Sequence, residues 1–189
     1  PHLKIFVRFA KDNNWVRTQK LLTELWEKDT SRLDILQDLA KIYYSQEKYD
    51  SAYYYYDKFV RAREANKLNR YIEENVKIAR VYQMMGKTQK ADSLFADYVT
   101  YADEVKSPYR SATLAFKHAY LEETEEAIKH LKEFSKQKNI QYWFLLMHKD
   151  PLTKPLKSHP EFEKVMRSNE NSYWEDHAEG MNELIEKGV

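Results

Sequence analysis

Residues 33–60, LDILQDLAKIYYSQEKYDSAYYYYDKFV, decide the fold. Apolar and small side chains recur at Leu36, Leu39, Ala40 and Tyr43, and again at Ala52, Tyr56 and Phe59, which is the three-and-four spacing of one helical face. Between the two runs, Ser45 to Lys48 is a short polar turn. The stretch therefore reads as two amphipathic helices folded back on each other, an αα-hairpin.

The same spacing recurs along the chain. Phe6, Phe9, Trp15, Thr18, Leu22 and Leu25 fall on Ala40, Tyr43, Tyr49, Ala52, Tyr56 and Phe59 at an offset of 34 residues. An offset of 39 carries Ala40, Tyr43, Ala52, Tyr56 and Phe59 onto Ala79, Tyr82, Ala91, Phe95 and Tyr98. A third offset, 36, takes Ala79, Ala91 and Tyr98 to Ala115, Ala127 and Phe134, with His118 following Tyr82 and Leu131 following Phe95. Small residues let paired helices approach closely, while large residues one turn away fill the space between neighbouring hairpins. One hairpin buries only one face, so such arrays need about three or more copies.

The pattern of large residue, small residue and tyrosine, then small residue and aromatic, carried by Leu36, Leu39, Ala40, Tyr43, Ala52 and Tyr56, resembles the tetratricopeptide repeat family. The resemblance covers about residues 1–141. It implies an all-α, right-handed superhelical solenoid of about four hairpins, near 1–32, 33–71, 72–107 and 108–141, with 142–189 as a helical C-terminal cap packed on the last of them. Two departures from the family stand out: the helix-ending prolines are missing, and the offset of 39 requires extra residues around Ala62 to Arg70, read here as a longer second helix. The register also places the first hairpin's opening helix partly before Pro1, so part of a larger protein is expected upstream.

In the fourth hairpin Ser107-Pro108 is expected to start a helix, the serine capping and the proline in the first turn. Beyond Lys138, Ile140, Trp143, Phe144 and Met147 suggest a short helix. Asp150-Pro151 and Ser158-His159-Pro160-Glu161 offer two further starts, the second with capping-box spacing. Phe162, Val165 and Met166, then Trp174, Met181, Leu184 and Ile185, make a final apolar stripe with a break expected at Ser168 to Ser172. The segment from Tyr142 through Asp150-Pro151-Leu152 and Pro155-Leu156 to His159-Pro160-Glu161-Phe162 is similar to one that follows tetratricopeptide arrays in bacterial signalling proteins, among them AraC-type regulators and adenylate cyclases. That resemblance implies a region of a larger bacterial signalling or transcription regulator.

Composition narrows the function classes. The 31 basic and 30 acidic residues are interspersed and leave a formal charge of +1, so no global field draws nucleic acid to this chain. The longest uninterrupted apolar run, Trp143 to Met147, is far short of the roughly 20 residues that span a bilayer, so no membrane insertion is expected. Absence of cysteine removes disulfides and thiol chemistry and leaves the compartment open.

No residue pattern announces catalysis. The histidines at 2, 118, 130, 148, 159 and 177 form no i, i+4 pair, so no metal site or cofactor is expected, and His130 with Glu126 reads as a surface pair. The glycines are isolated, and no carboxylate pair is set in contrasting environments. The chain is thus read as a non-enzyme. Within Tyr53 to Tyr56, four successive residues on a helix point in four directions, so they form no stacking platform: Tyr56 is expected in the core, and Tyr54 or Tyr55 toward solvent.

What the tetratricopeptide resemblance implies instead is a ligand groove lined by the first helix of each hairpin. In this chain its residues are Gln37, Lys41 and Tyr44, then Val76, Arg80 and Gln83, then Ala112, Phe116 and Ala119, with Met84 and Tyr120 at the rim. Mixed charge beside aromatics suits a protein or peptide partner. Lys41 and Arg80 either hold a ligand carboxylate together or pair with Asp38, Glu73 or Glu74. Asn75 is out of register for the family's carboxylate clamp, which argues against a C-terminal EEVD-type ligand. The alternative is a small-molecule-sensing domain of such a regulator, which calls for a closed apolar pocket around Phe116 and Tyr120. The partner, compartment and oligomeric state have no signature in the sequence.

Overall fold

The structure is a computed structural model that describes residues 15–186. Among the described residues it is all-helical, without a β-strand. The expected opening helix with Phe6 and Phe9 lies outside the described residues. None of the helices is long and apolar enough to cross a membrane, among the described residues. The chain divides into two compact units between Tyr101 and Ala102, each described by itself below.

The first unit holds α1 (Trp15–Lys28), α2 (Leu33–Ser45), α3 (Tyr49–Ala65), a 3-10 turn (Ile72–Glu74), α4 (Asn75–Met84) and most of α5 (Thr88–Glu104). Its core is built from the spacing read in the sequence. Leu22 of α1 packs with Ile35, Leu39 and Ile42 of α2, with Trp15, Leu25, Trp26 and Tyr55 around them. Ala40, Ala52, Tyr56, Phe59, Ala79 and Ala91 are wholly enclosed. Tyr54 stands in solvent, and Tyr55 stacks on Tyr43 with ring centroids 5.4 Å apart.

The turns repeat as closely as the helices do. Glu47, Gly86 and Glu122 all have positive φ, at 57°, 69° and 62°. After each, a backbone N–H donates to the carbonyl five residues back: Lys48 to Tyr43, Lys87 to Tyr82 and Glu123 to His118, each at 2.9 Å. This is the left-handed helix end that satisfies carbonyls orphaned at a C-terminus. The next helix begins with the same bond in each case, from Ala52 to Lys48, Ala91 to Lys87 and Ala127 to Glu123.

The expected helical extension over Ala62 to Arg70 stops at Ala65, and residues 66–71 form a loop instead. Lys67 turns the chain with φ of 50° and Tyr71 with φ of 60°. Arg63, itself buried, gathers this loop by donating to the carbonyls of Arg70 and Tyr71 and, at 2.8 Å, to Asn75 Oδ1. A guanidinium with no exposed route demands several acceptors, and a loop offers carbonyls that a helix would have used up.

The second unit holds the end of α5, α6 (Arg110–Tyr120), α7 (Thr124–Phe134), two 3-10 segments (Tyr142–Lys149 and Pro151–Ser158) and α8 (Phe162–Glu186). Ala112, Ala115, Ala119, Ala127, Ile128, Leu131 and Phe134 of the α6–α7 hairpin share one core with Ile140, Met147, Leu156, Phe162 and Val165 of the tail. Tyr109 lies flat on Phe144 at 4.3 Å, both beside Phe134.

Ser107 Oγ accepts from Tyr109 N at 3.2 Å, one turn ahead of the helix it was expected to cap. Asp150 does cap, accepting from Leu152 N with Pro151 next in line, but the element it starts is a 3-10 segment. The capping box at Ser158 does not form. Its hydroxyl donates to Pro155 O, while Glu161 pairs with Lys132 of α7. No break occurs at Ser168 to Ser172 either: α8 runs unbroken, with Asn169 buried on the face that Phe162 and Val165 begin.

Candidate functional site

In the first unit α2 meets the 3-10 turn that leads into α4 at one carboxylate, Glu74. The offset that aligns the hairpins places Glu74 in the slot that Ile35 fills one copy earlier, and its side chain is accordingly buried, 5% exposed. A buried charge persists only when paired and hydrogen-bonded. Gln37 Nε2 donates to Glu74 Oε2 at 3.0 Å, and Lys41 Nζ lies 3.0 Å from the same oxygen. Lys77 Nζ stands 3.9 Å from Oε1, and Tyr56 OH donates to Oε1 at 3.4 Å.

Burial, the largest single influence, pushes the Glu74 carboxyl upward. The attraction of Lys41 and Lys77, with the hydrogen bonds from Lys41 and Gln37, outweighs it and holds the group below the usual range. Glu74 is therefore a fixed anion. Lys41 also stands 3.9 Å from Asp38, and the Lys77 ammonium lies 6.0 Å above the Tyr44 ring.

The groove residues named from the sequence divide by environment. Gln37, Tyr44 and Val76 are buried. Lys41 is partly exposed and occupied by Glu74, so its pairing falls among the intramolecular partners weighed above. One turn further along α4, Arg80 Nη1 donates to Gln83 Oε1 at 2.9 Å, and Gln83 is exposed. Gln37, Lys41 and Tyr44 are thus brought together with Lys77 around Glu74, while Arg80 and Gln83 form a separate polar pair at the surface. In the second unit, Phe116 is half-buried and packs against that unit's own core, and Tyr120 is half-buried.

Behind this face the α3 side chains are tied to α4. Tyr82 OH donates to Asp57 Oδ1 at 2.9 Å, and its ring meets Tyr53 edge-on at 5.0 Å. Burial, then the Asp57 carboxylate, pushes the Tyr82 phenol far above its ordinary value, so it remains a hydrogen-bond donor.

Two features go beyond the sequence reading, which has Glu74 only as a candidate partner of Lys41 and Arg80, and Glu126 with His130 only as a surface pair. Glu74 is the hub of the α2–α4 contact, and the signal was present: a charged residue standing at a core position of the repeat. In the second unit, the α6–α7 turn brings His118, Glu126 and His130 together, with ligand atoms within 4.8 Å of one another. Their spacing in sequence, with His130 twelve positions after His118, follows no linear metal motif.

In comparison with known proteins, no family model, no curated protein and no solved structure matches the chain.

Proposed function

We propose that this chain is a non-enzymatic protein-interaction scaffold of tetratricopeptide type, a region of a larger bacterial signalling or transcription regulator, and that it takes a peptide along the α2–α4 face. The adjacency of α2 and α4 through Glu74 carries this reading. Gln37 and Lys41 of α2 reach Glu74, the residue that leads into α4, and Lys77 of α4 lies over the Tyr44 ring of α2, links of the kind that a groove between first helices needs. The recurring turn at Glu47, Gly86 and Glu122 supports the same repeat type. Preorganised faces of this kind limit the ordering cost of binding an extended peptide.

The chemistry at the rim favours a partner with acidic groups. Lys41 and Lys77 straddle a single buried carboxylate, and Arg80 with Gln83 extends the polar surface along α4. A planar guanidinium at the rim suits a carboxylate. Lys41 is the wrong residue to test, because replacing it strands Glu74. Arg80→Glu reverses the charge without touching the Glu74 cluster.

Selection of displayed peptides on the immobilised chain is expected to enrich sequences with acidic or free C-terminal carboxylates. Arg80→Glu is expected to weaken the selected peptides about tenfold or more, with an unchanged melting temperature. Failure to enrich any peptide, or equal binding by the variant, overturns the reading.

A further inference from the structure

The α6–α7 hairpin of the second unit carries a second constellation, built from residues other than those of the peptide face. His118 lies in the last turn of α6, and Glu126 and His130 lie one turn apart on α7, where i, i+4 residues share a helix face. The hairpin turn folds these faces together. The two imidazoles lie nearly parallel, 15° between planes and 5.2 Å between centroids, with side chains only 18% and 14% exposed.

Each ring is oriented by its own carboxylate. His118 Nδ1 is 2.6 Å from Glu123 Oε2, and His130 Nδ1 is 3.2 Å from Glu133 Oε2. A neutral imidazole that donates through Nδ1 presents its lone pair at Nε2. This carboxylate–histidine arrangement is the outer shell that fixes tautomer and ring direction in metal sites. Glu126 supplies the anion. Lys129 donates to its Oε2 at 2.9 Å, the main cause holding this carboxyl below its usual range, and Oε1 has no such donor described.

We infer that His118, Glu126 and His130 bind one divalent transition-metal ion of the zinc class, clipping α6 to α7. Two imidazoles and a carboxylate match the nitrogen and oxygen preference of zinc. Three protein ligands also leave a coordination position for water. Around a tetrahedral zinc the ligand atoms stand about 3.3 Å apart. The present separations, within 4.8 Å, close to that by small side-chain rotations.

Isothermal titration of the chain with zinc chloride at neutral pH tests the site. The expected result is saturable one-to-one binding, micromolar or tighter, with a raised melting temperature. His118→Gln, His130→Gln and Glu126→Gln should each weaken it at least tenfold while leaving the metal-free melt unchanged. Glu123→Gln, which removes only the orienting carboxylate, is expected to cost about 10-fold or somewhat more.

Long-range nitrogen–proton spectra of the unaltered chain give a readout that needs no variant: zinc should shift the Nε2 signals of two histidines. Absence of saturable binding overturns the site. So does binding retained in the His118→Gln, His130→Gln double variant, which would mark adventitious surface carboxylates, or a titration in which no histidine nitrogen responds.

Discussion

A carboxylate as deeply buried as Glu74 survives because its partners offset a desolvation cost of several kcal/mol. The two lysines contribute attraction, and Gln37 and Tyr56 satisfy the remaining lone pairs. The folded-state pKa lies below the exposed-glutamate value of 4.5. A depressed pKa of this kind stabilises the fold above the unfolded value, and that contribution is lost as pH falls through the folded one. Glu74→Gln keeps the shape but removes the charge, leaving two lysines that can still reach solvent. It is expected to cost about 2 kcal/mol at pH 7 and to flatten the loss of stability below about pH 4.5. Urea titrations across pH check this. Parallel acid profiles for variant and parent would show that Glu74 is not the titrating anion.

At the scale of elements, the hairpin turn is the unit that repeats. Left-handed backbone costs a residue with a side chain about 1–2 kcal/mol, and glycine almost nothing beyond its larger unfolded entropy. The second copy uses Gly86, whereas Glu47 and Glu122 carry the same conformation with a Cβ. Glu122→Gly is therefore expected to stabilise the protein by about 0.5–1 kcal/mol, and Gly86→Ala to destabilise it by about 1 kcal/mol. Space plays no part in the latter, since a Cβ on Gly86 would meet nothing within 4 Å. Chemical denaturation of both variants measures the pair of effects. A neutral outcome for both would mean that the turns are held by contacts other than backbone conformation.

At the scale of the molecule, burial is uneven. The second unit's core takes in Phe162 and Val165 of α8, and Tyr173 still packs against it. Further along the same helix Trp174 is 43% exposed, Met181 46% and Ile185 68%. The last described ring and polar contacts on α8 are those of Trp174, Asp176 and His177 with Tyr142, Tyr173 and Asn139. Truncation after Ala178 removes a helix end whose described side chains are exposed, so the melting temperature should stay within about 2–4 °C of the parent, the shift expected for a change of 1 kcal/mol or less. Thermal melts followed by circular dichroism read this directly. A larger fall would show that the end of α8 carries packing of its own.

Much of the element order was legible from residues 33–60 and their echoes. The three-and-four spacing marks each buried face, and the polar run between two such faces marks each turn, as at Ser45 to Lys48 and around Gly86. These are local properties of the chain, set by helical period and by which residues tolerate a turn. Partnerships between helices are not local. Gln37 meets Glu74 across 37 residues, and His118 meets His130 only because an αL residue at Glu122 sends α7 back along α6. The loop at residues 66–71 and the unbroken α8 were likewise decided by tertiary demands: the acceptors required by a buried Arg63, and a core that continues through Asn169. The sequence alone determined an all-helical chain, through the helical period of its buried faces and the polar turns between them. Which charges are buried, and which side chains converge into sites, was decided by tertiary structure, because burial and pairing depend on the phase at which helices far apart in sequence come to pack.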